Sequence, residues 1–391
     1  MAKAVGKATW FAYFPEDYRW SAAISMLYSS SYWGAAVMGE IDQVGRRLKN
    51  KVGDDKAWFR EWVRMADRMR GLGMAAQRRK NHLTAAAFFK RACMYYQLGE
   101  RFRTPKDKAA LAAYRKSLDC FRRFARLTDR PRIEHVEIPY ERGKKLPGIL
   151  VHAENTRKAQ PPAVVFFDGL DVTKEVQYML GTEDLVRRGI SCLAVDGPGN
   201  GESIRFRNLH LRYDHEVAGS AALDYLETRK DVNAKRVGVM GISLGGYYAP
   251  RNASMEKRFR ACVAWGAEPD YYDQWRRRLA AMFKTALSVP SHHILWILNV
   301  KTMDEALEKL KDFRLDGVVQ KMRCPFLLVH GEDDQQSLPP RARAQFRMVG
   351  SKDKTLKIFK NSEGDAQHCQ MDNVPLAAAY MHDWLKEKLG A

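Results

Sequence analysis

The chain has 391 residues, 46% hydrophobic and 11% aromatic, enough to bury a large core in two domains. Its formal net charge is +20, and no run approaches the roughly 18 apolar residues of a membrane-spanning helix. Composition therefore excludes a helical membrane protein and a disordered chain. Six cysteines (Cys93, Cys120, Cys192, Cys262, Cys324, Cys369) stand far apart without a C-x-x-C pair. Free buried thiols in a reducing cytoplasm are expected rather than disulfides. The basic start, Met1 to Lys7, lacks the apolar stretch of a secretory signal.

Residues 1–128 contain no convincing strand and are expected to form a helical N-terminal cap domain. Trp58, Trp62, Met65, Met69 and Leu72 form one apolar stripe at the 3.6-residue period, and Leu111, Tyr114, Leu118, Phe121 and Phe124 form another. Between them, Leu83 to Leu98 predicts a third helix, in which Tyr95 and Tyr96 are core residues first and candidate ligand contacts second. Residues 1–130 hold 27 Lys/Arg against 12 Asp/Glu, so +15 of the net charge lies there. Such a surface is either simply solvated or attracts an anionic substrate or partner. No zinc, RRM or helix-turn-helix signature accompanies it, so no nucleic-acid partner is expected.

From Pro131 the period changes. Residues 132–138 alternate as a half-exposed antiparallel strand, and 148–152 follow as its neighbour. Strand and helix signals then alternate, with apolar strands at 163–167, 190–196, 236–240, 261–266, 325–329 and 355–359. This pattern predicts an α/β domain over 129–391: a mostly parallel, doubly wound sheet with helices on both faces. The glycines of Asp196-Gly197-Pro198-Gly199-Asn200-Gly201 lack the helix opening and acidic partner of a dinucleotide loop and read as a tight loop at the site rim. About 58 residues separate the strands at 266 and 325, far more than a crossover needs. The excess, about 270–321, is expected to be a helical lid that shapes the pocket together with the N-terminal helices.

Gly241-Ile242-Ser243-Leu244-Gly245 is a G-x-S-x-G pentapeptide between an apolar strand and a helix start, the context of a nucleophile elbow. The flanking glycines are expected where a Cβ would clash with the neighbouring strand and helix. Downstream, the strand at 325–329 ends in His330-Gly331-Glu332-Asp333-Asp334, and the H-G-x-x-D spacing favours Asp334 over Asp333 as the acid. His330 reads as a packing residue. After the last strand comes a polar loop ending in His368. Ser243, Asp334, His368 is the α/β-hydrolase order among convergent triads. Cys369 beside the histidine reads as a bystander rather than a redox switch. His292-His293 point about 100° apart on a helix, so no metal is expected, nor any cofactor.

The strand at 163–167, expected before the elbow's neighbour strand, leads into Asp168-Gly169-Leu170-Asp171. In this fold one oxyanion donor follows the nucleophile and the other lies in such a loop, which nominates the backbone amides of Leu244 and Leu170. Asp171 in this turn is a candidate substrate contact. Glu268 and Asp270 follow the sixth strand; they either add a carboxylate to the site or cap the next helix.

The motifs Asp168 to Glu175, Asp196 to Glu202 and His368-Cys369-Gln370, after a helical N-terminal region, identify a resemblance covering nearly the whole chain. It is similar to the α/β-hydrolase subfamily of 2,6-dihydroxypseudooxynicotine hydrolase and the fungal yellowish-green pigment hydrolases, which shorten polyketides. The resemblance implies a serine hydrolase with a helical cap, the triad Ser243–His368–Asp334, a small-molecule substrate and a homodimer. It implies hydrolysis of a carbon–carbon bond next to a ketone in an aromatic or polyketide-like substrate. A carboxylesterase or amidase on the same scaffold is the alternative. A catalytically silent hydrolase-fold binding protein is the alternative of another class, against which the intact Ser/Asp/His set argues.

Overall fold

The computed structural model describes residues 10–391; the basic start of the chain and the first residues of the expected 1–128 cap lie outside them. The chain divides into two compact units. One holds residues 10–132 and 286–293, the other Ile133–Thr285 and Ile294–Ala391. Thus 286–293, which the sequence assigns to the lid, clusters with the helical unit.

Five helices build the first unit: α1 (Tyr18–Ser31), α2 (Met38–Leu48), α3 (Asp55–Arg78), α4 (His82–Glu100) and α5 (Lys108–Leu127). Asp17, Asp54 and Asp107 cap α1, α3 and α5 by accepting first-turn amides that have no helical partner. Aromatic side chains fill the core, with Trp58 packed on Trp20 (4.7 Å between ring centres) and Trp62 (5.6 Å), and Trp62 on Tyr95 (5.4 Å). Two of the indole N–H groups in this core find acceptors: Trp58 Nε1 donates to the Leu98 carbonyl (2.9 Å) and Trp20 Nε1 to Asp55 (3.0 Å). Leu72, counted in the apolar stripe, is 40% exposed; Gly73 takes the buried position, where an ideal Cβ would stand 2.9 Å from the Phe89 ring. The 24-residue α3 rotates its stripe over its length, so a strict heptad count falls one residue short, at 72 instead of 73.

The second unit is an eight-stranded sheet in the order β1-β2-β4-β3-β5-β6-β7-β8. Its strands are β1 (Ile133–Pro139), β2 (Lys145–Val151), β3 (Ala163–Phe167), β4 (Ser191–Val195), β5 (Val237–Ile242), β6 (Phe259–Trp265), β7 (Phe326–Gly331) and β8 (Lys354–Phe359). β2 runs antiparallel to β1 and β4, and the pairs from β4 through β8 are parallel. The elbow strand β5 pairs with β3 itself (Phe167 opposite Gly241), whereas the sequence order had suggested β4 as its neighbour. The chain crosses over after β4, so sequential strands are not adjacent there.

Helices α6 (Lys174–Gln177), α7 (Glu183–Arg187), α8 (Gly201–Phe206), α9 (Glu216–Glu227), α10 (Gly245–Met255), α14 (Pro339–Met348) and α15 (Val374–Leu389) connect or follow the strands. Between β6 and β7 lie α11 (Tyr271–Ala280), α12 (His293–Leu298) and α13 (Met303–Leu310). α8 does open at the glycine loop, contrary to the sequence reading; at six residues it is too short to carry a periodic signal. Parallel strands direct their carboxyl ends to one edge, which is where the loops after β3, β4, β5, β7 and β8 gather chemistry.

α10 starts against β6, and an ideal Cβ on Gly246 would collide with the Gly266 carbonyl oxygen. Both partners are backbone, so neither can swing aside. We expect Gly246→Ala to destabilise the protein by about 3 kcal/mol, read from thermal unfolding. Gly71→Ala, on α3 with nothing within 4 Å, is expected to leave the midpoint unchanged or raise it slightly.

Candidate active site

Ser243 sits in the two-residue step between β5 and α10, at φ +57°, in the left-handed region. A serine there is strained and persists only where packing over-determines it. The packing is visible on each side. The Ser243 amide donates to the Trp265 carbonyl at the end of β6 (2.8 Å), and the Gly246 amide donates back to the Ser243 carbonyl (2.7 Å). A Cβ on Gly241 would strike the Gly245 carbonyl, and one on Gly245 would lie 3.0 Å from the Asp168 carbonyl oxygen. Gly169 presses on the serine in the same way, its ideal Cβ 3.0 Å from Ser243 Cβ.

The half-buried Ser243 hydroxyl lies 2.9 Å from His368 Nε2, and His368 Nδ1 lies 2.7 Å from Asp334 Oδ2. Asp334 is 1% exposed, and its second oxygen accepts the amides of Gln336 (2.8 Å) and Ser337 (2.9 Å). Burial alone would raise its pKa; the facing imidazoles of His368 and His330, with these hydrogen bonds, hold it below the usual carboxylate value. Burial alone would lower the His368 pKa, but Asp334, and secondarily Cys369, raise it well above an ordinary imidazole. Asp333 turns the other way and accepts from Asn361 Nδ2 (2.6 Å). His330 is fully buried, contacting the Ser337 carbonyl (2.7 Å) and the Ala267 amide (3.3 Å) through its two ring nitrogens.

The histidine loop is pinned to the acid strand. The Asp333 amide donates to the Ala366 carbonyl (2.9 Å), and Asp372 accepts the amides of Ala366 (2.9 Å) and Gln367 (3.1 Å). Gly331 has to be glycine here, since a Cβ would run into the Ala366 and Gln367 carbonyls. That close approach gives the H-G-x-x-D spacing its physical basis. Cys369, at φ +51°, brings its thiol within 3.4 Å of His368 Nε2 and 3.5 Å of the Trp265 carbonyl. It therefore touches the nitrogen that faces Ser243, a proximity that chain adjacency alone did not predict.

Among the described residues, the amides of Leu170 and Leu244 donate to no protein group. Leu244 stands at the start of the 11-residue α10, where the helix dipole adds positive potential. Of the other candidates, Glu268 is 4% exposed and paired with Arg341 (2.8 Å), and burial against that pull raises its pKa. Asp270 caps α11 by accepting the Asp273 amide (2.8 Å). Asp171 interacts electrostatically with Tyr271 at the start of α11. Tyr95 and Tyr96 are fully buried in the helical unit; Tyr95 donates to Glu40 (2.6 Å) and Tyr96 to Asp67.

Sequence reasoning missed a buried ionic hub beside the Leu170 loop. Lys174, 1% exposed, places its ammonium 2.7 Å from Glu175, 2.8 Å from Asp196 and 2.6 Å from Glu202. Burial favours loss of the Lys174 charge, but the three carboxylates outweigh it and raise the pKa well above the ordinary ammonium value. Burial and the Asp196 charge push the neighbouring Asp168 carboxyl far up, towards its protonated form. The only sequence signal was that these residues fall within the two motifs that carry the family resemblance.

Comparisons with known proteins agree with this architecture. A family described as "Esterase FrsA-like" matches residues 48–389. The chain is 30% identical to "Hydrolase acrC" of Aspergillus aculeatus, over 97% of this chain and 98% of that one. It is 28% identical to "20-hydroxy-prefusarin hydrolase FUS2" of Gibberella moniliformis, over 93% and 94%. The solved structure of 2,6-dihydroxy-pseudo-oxynicotine hydrolase superposes with a TM-score of 0.77 at 22% identity, covering 93% of this chain and 95% of that one. No described helix is long and apolar enough to cross a membrane. The chain is an α/β-hydrolase and belongs to the FrsA-like esterase family.

Proposed function

We propose that the protein is a serine hydrolase that works through an acyl-enzyme on Ser243 and cleaves a carbon–carbon bond next to a ketone in an aromatic or polyketide-like substrate. The observation that carries the serine chemistry is the pair of contacts from Ser243 Oγ to His368 Nε2 (2.9 Å) and from His368 Nδ1 to Asp334 Oδ2 (2.7 Å). The preference for a carbon leaving group rests on the subfamily resemblance. An ester or amide substrate is the second reading, favoured by the esterase description of the matched family.

In this mechanism Asp334, ionised, holds the His368 proton on Nδ1 and leaves Nε2 free to accept. His368 takes the Ser243 proton as Oγ attacks the substrate carbonyl, and the amides of Leu170 and Leu244 receive the charge that develops on its oxygen. The tetrahedral intermediate collapses by breaking the bond to the leaving carbon. That carbon departs as an enolate or an electron-rich ring carbon, because an unstabilised carbanion is too poor a leaving group, and His368 gives it the proton taken from Ser243. A water that gives its proton to His368 then attacks the acyl-serine. The products are a carboxylic acid and the protonated leaving half, with Ser243 restored.

The base must be neutral to accept a proton, so activity rises as His368 deprotonates. Asp334 stabilises the imidazolium and raises its pKa, so the acid limb of kcat/KM is expected above the free-imidazole value of about 6.5. Asp334→Asn removes that stabilisation: the limb moves to lower pH and kcat falls on the order of 10⁴-fold. Asp333→Asn leaves both unchanged. Exchanged outcomes for the two variants mean that Asp333 is the acid.

Product analysis by mass spectrometry separates the bond types. On aryl β-diketones and acylated polyhydroxyarenes paired with matched esters and amides, we expect a carboxylic acid plus a methyl ketone or deacylated ring, absent with Ser243→Ala. Cleavage of the esters or amides alone makes the protein an esterase or amidase.

A further inference from the structure

The loop after β4 holds a side chain aimed at the loop after β3. Asn200, 4% exposed, donates from Nδ2 to the Gly169 carbonyl oxygen at 2.5 Å. A carbonyl can only accept, so the amide nitrogen, not its oxygen, faces Gly169. The carbonyl of Gly169 and the N–H of Leu170 belong to one planar trans peptide and point in opposite directions. Fixing the first therefore aims the second. The Gly169 backbone packs against Ser243 and Ile242, so this peptide borders the serine directly.

We propose that Asn200 is a positioning residue that orients the Leu170 N–H as an oxyanion donor. The inference rests on the serine-hydrolase reading above.

Asn200 is held in a frame with little freedom. Its own amide donates to the Gly197 carbonyl (3.1 Å), and the Gly199 amide donates to the Leu209 carbonyl (2.8 Å). Gly199 and Gly201 have positive φ (+91° and +45°), and a Cβ on Gly201 would overlap the Asp196 carboxylate. That carboxylate accepts the amides of Glu202 (2.8 Å) and Lys174 (2.9 Å) and pairs with the Lys174 ammonium. Glu202 follows Asn200 by two residues, and Lys174 follows Leu170 by four. The ionic hub thus clamps together the two loops that Asn200 bridges, so the donor is aimed before substrate arrives. An oxyanion donor is useful only when its orientation precedes the charge it meets.

The test uses full-length protein, p-nitrophenyl butyrate as reporter and an aryl trifluoromethyl ketone as transition-state analogue. Asn200→Ala removes the donor; Asn200→Asp keeps the shape and, when ionised, opposes the Gly169 carbonyl. For both variants we expect kcat to fall about 10–100-fold, a fraction of the loss from deleting a donor outright. KM is expected to stay within about threefold, and the ketone inhibition constant to weaken by the factor lost from kcat/KM. A purely structural role would lower the melting temperature without this match between the two losses. Wild-type kcat in either folded variant, or a raised KM with an unchanged ketone constant, overturns the proposal. A wild-type protein that neither hydrolyses the ester nor binds the ketone, or a Ser243→Ala variant that keeps its rate, counts instead against the serine-hydrolase reading itself.

Discussion

The rest of the site depends on holding one serine at a backbone angle that serine avoids. Ser243 at φ +57° costs on the order of 1–3 kcal/mol locally, and the fold offsets this by leaving no room to relax. Gly241, Gly245 and Gly246 are each crowded by backbone, from α10 itself, from the end of β3 and from the end of β6 respectively. Those contacts require β3 and β6 to flank β5, which the sheet order supplies. The position of Ser243 is thus a property of the strand order around β5 rather than of five residues.

The same crowding aligns the groups around the serine. β3, β5, β7 and β8 end on one edge, and their loops are cross-linked by backbone contacts at Gly169, Gly331 and Ala366. Charge is handled in two separate places. Asp334 is satisfied by two amides and one imidazole, so it remains ionised although buried. The Lys174 hub lies behind the Gly169–Leu170 loop and balances its carboxylates through one ammonium. Removing the ammonium would leave buried charges uncompensated, the costly half of any buried ion pair.

Much of the fold was legible in the sequence because the hydrophobic period switches from 3.6 to 2 near Pro131 and the later strands are short, apolar and punctuated. The sheet order was less so: that β3 rather than β4 adjoins β5 depends on a crossover that no local pattern records. Ser243, Asp334 and His368 could be picked out because chain order and loop placement constrain them, and they lie within hydrogen-bond reach of one another. Asn200 could not, since its partner is 31 residues away and the contact is between a side chain and a carbonyl, which leaves no residue signature at Gly169. Tyr95 and Tyr96 were ambiguous for the opposite reason. A helical position predicts burial, while whether a hydroxyl faces Glu40 or a ligand is decided by tertiary packing.

The central claim, that Ser243 is the nucleophile, is tested most directly by treating the folded protein with a fluorophosphonate and mapping the adduct by peptide mass spectrometry. The account predicts a single stoichiometric adduct on Ser243 that forms faster as His368 loses its proton. Labelling at another residue, or none on the folded protein, would contradict it.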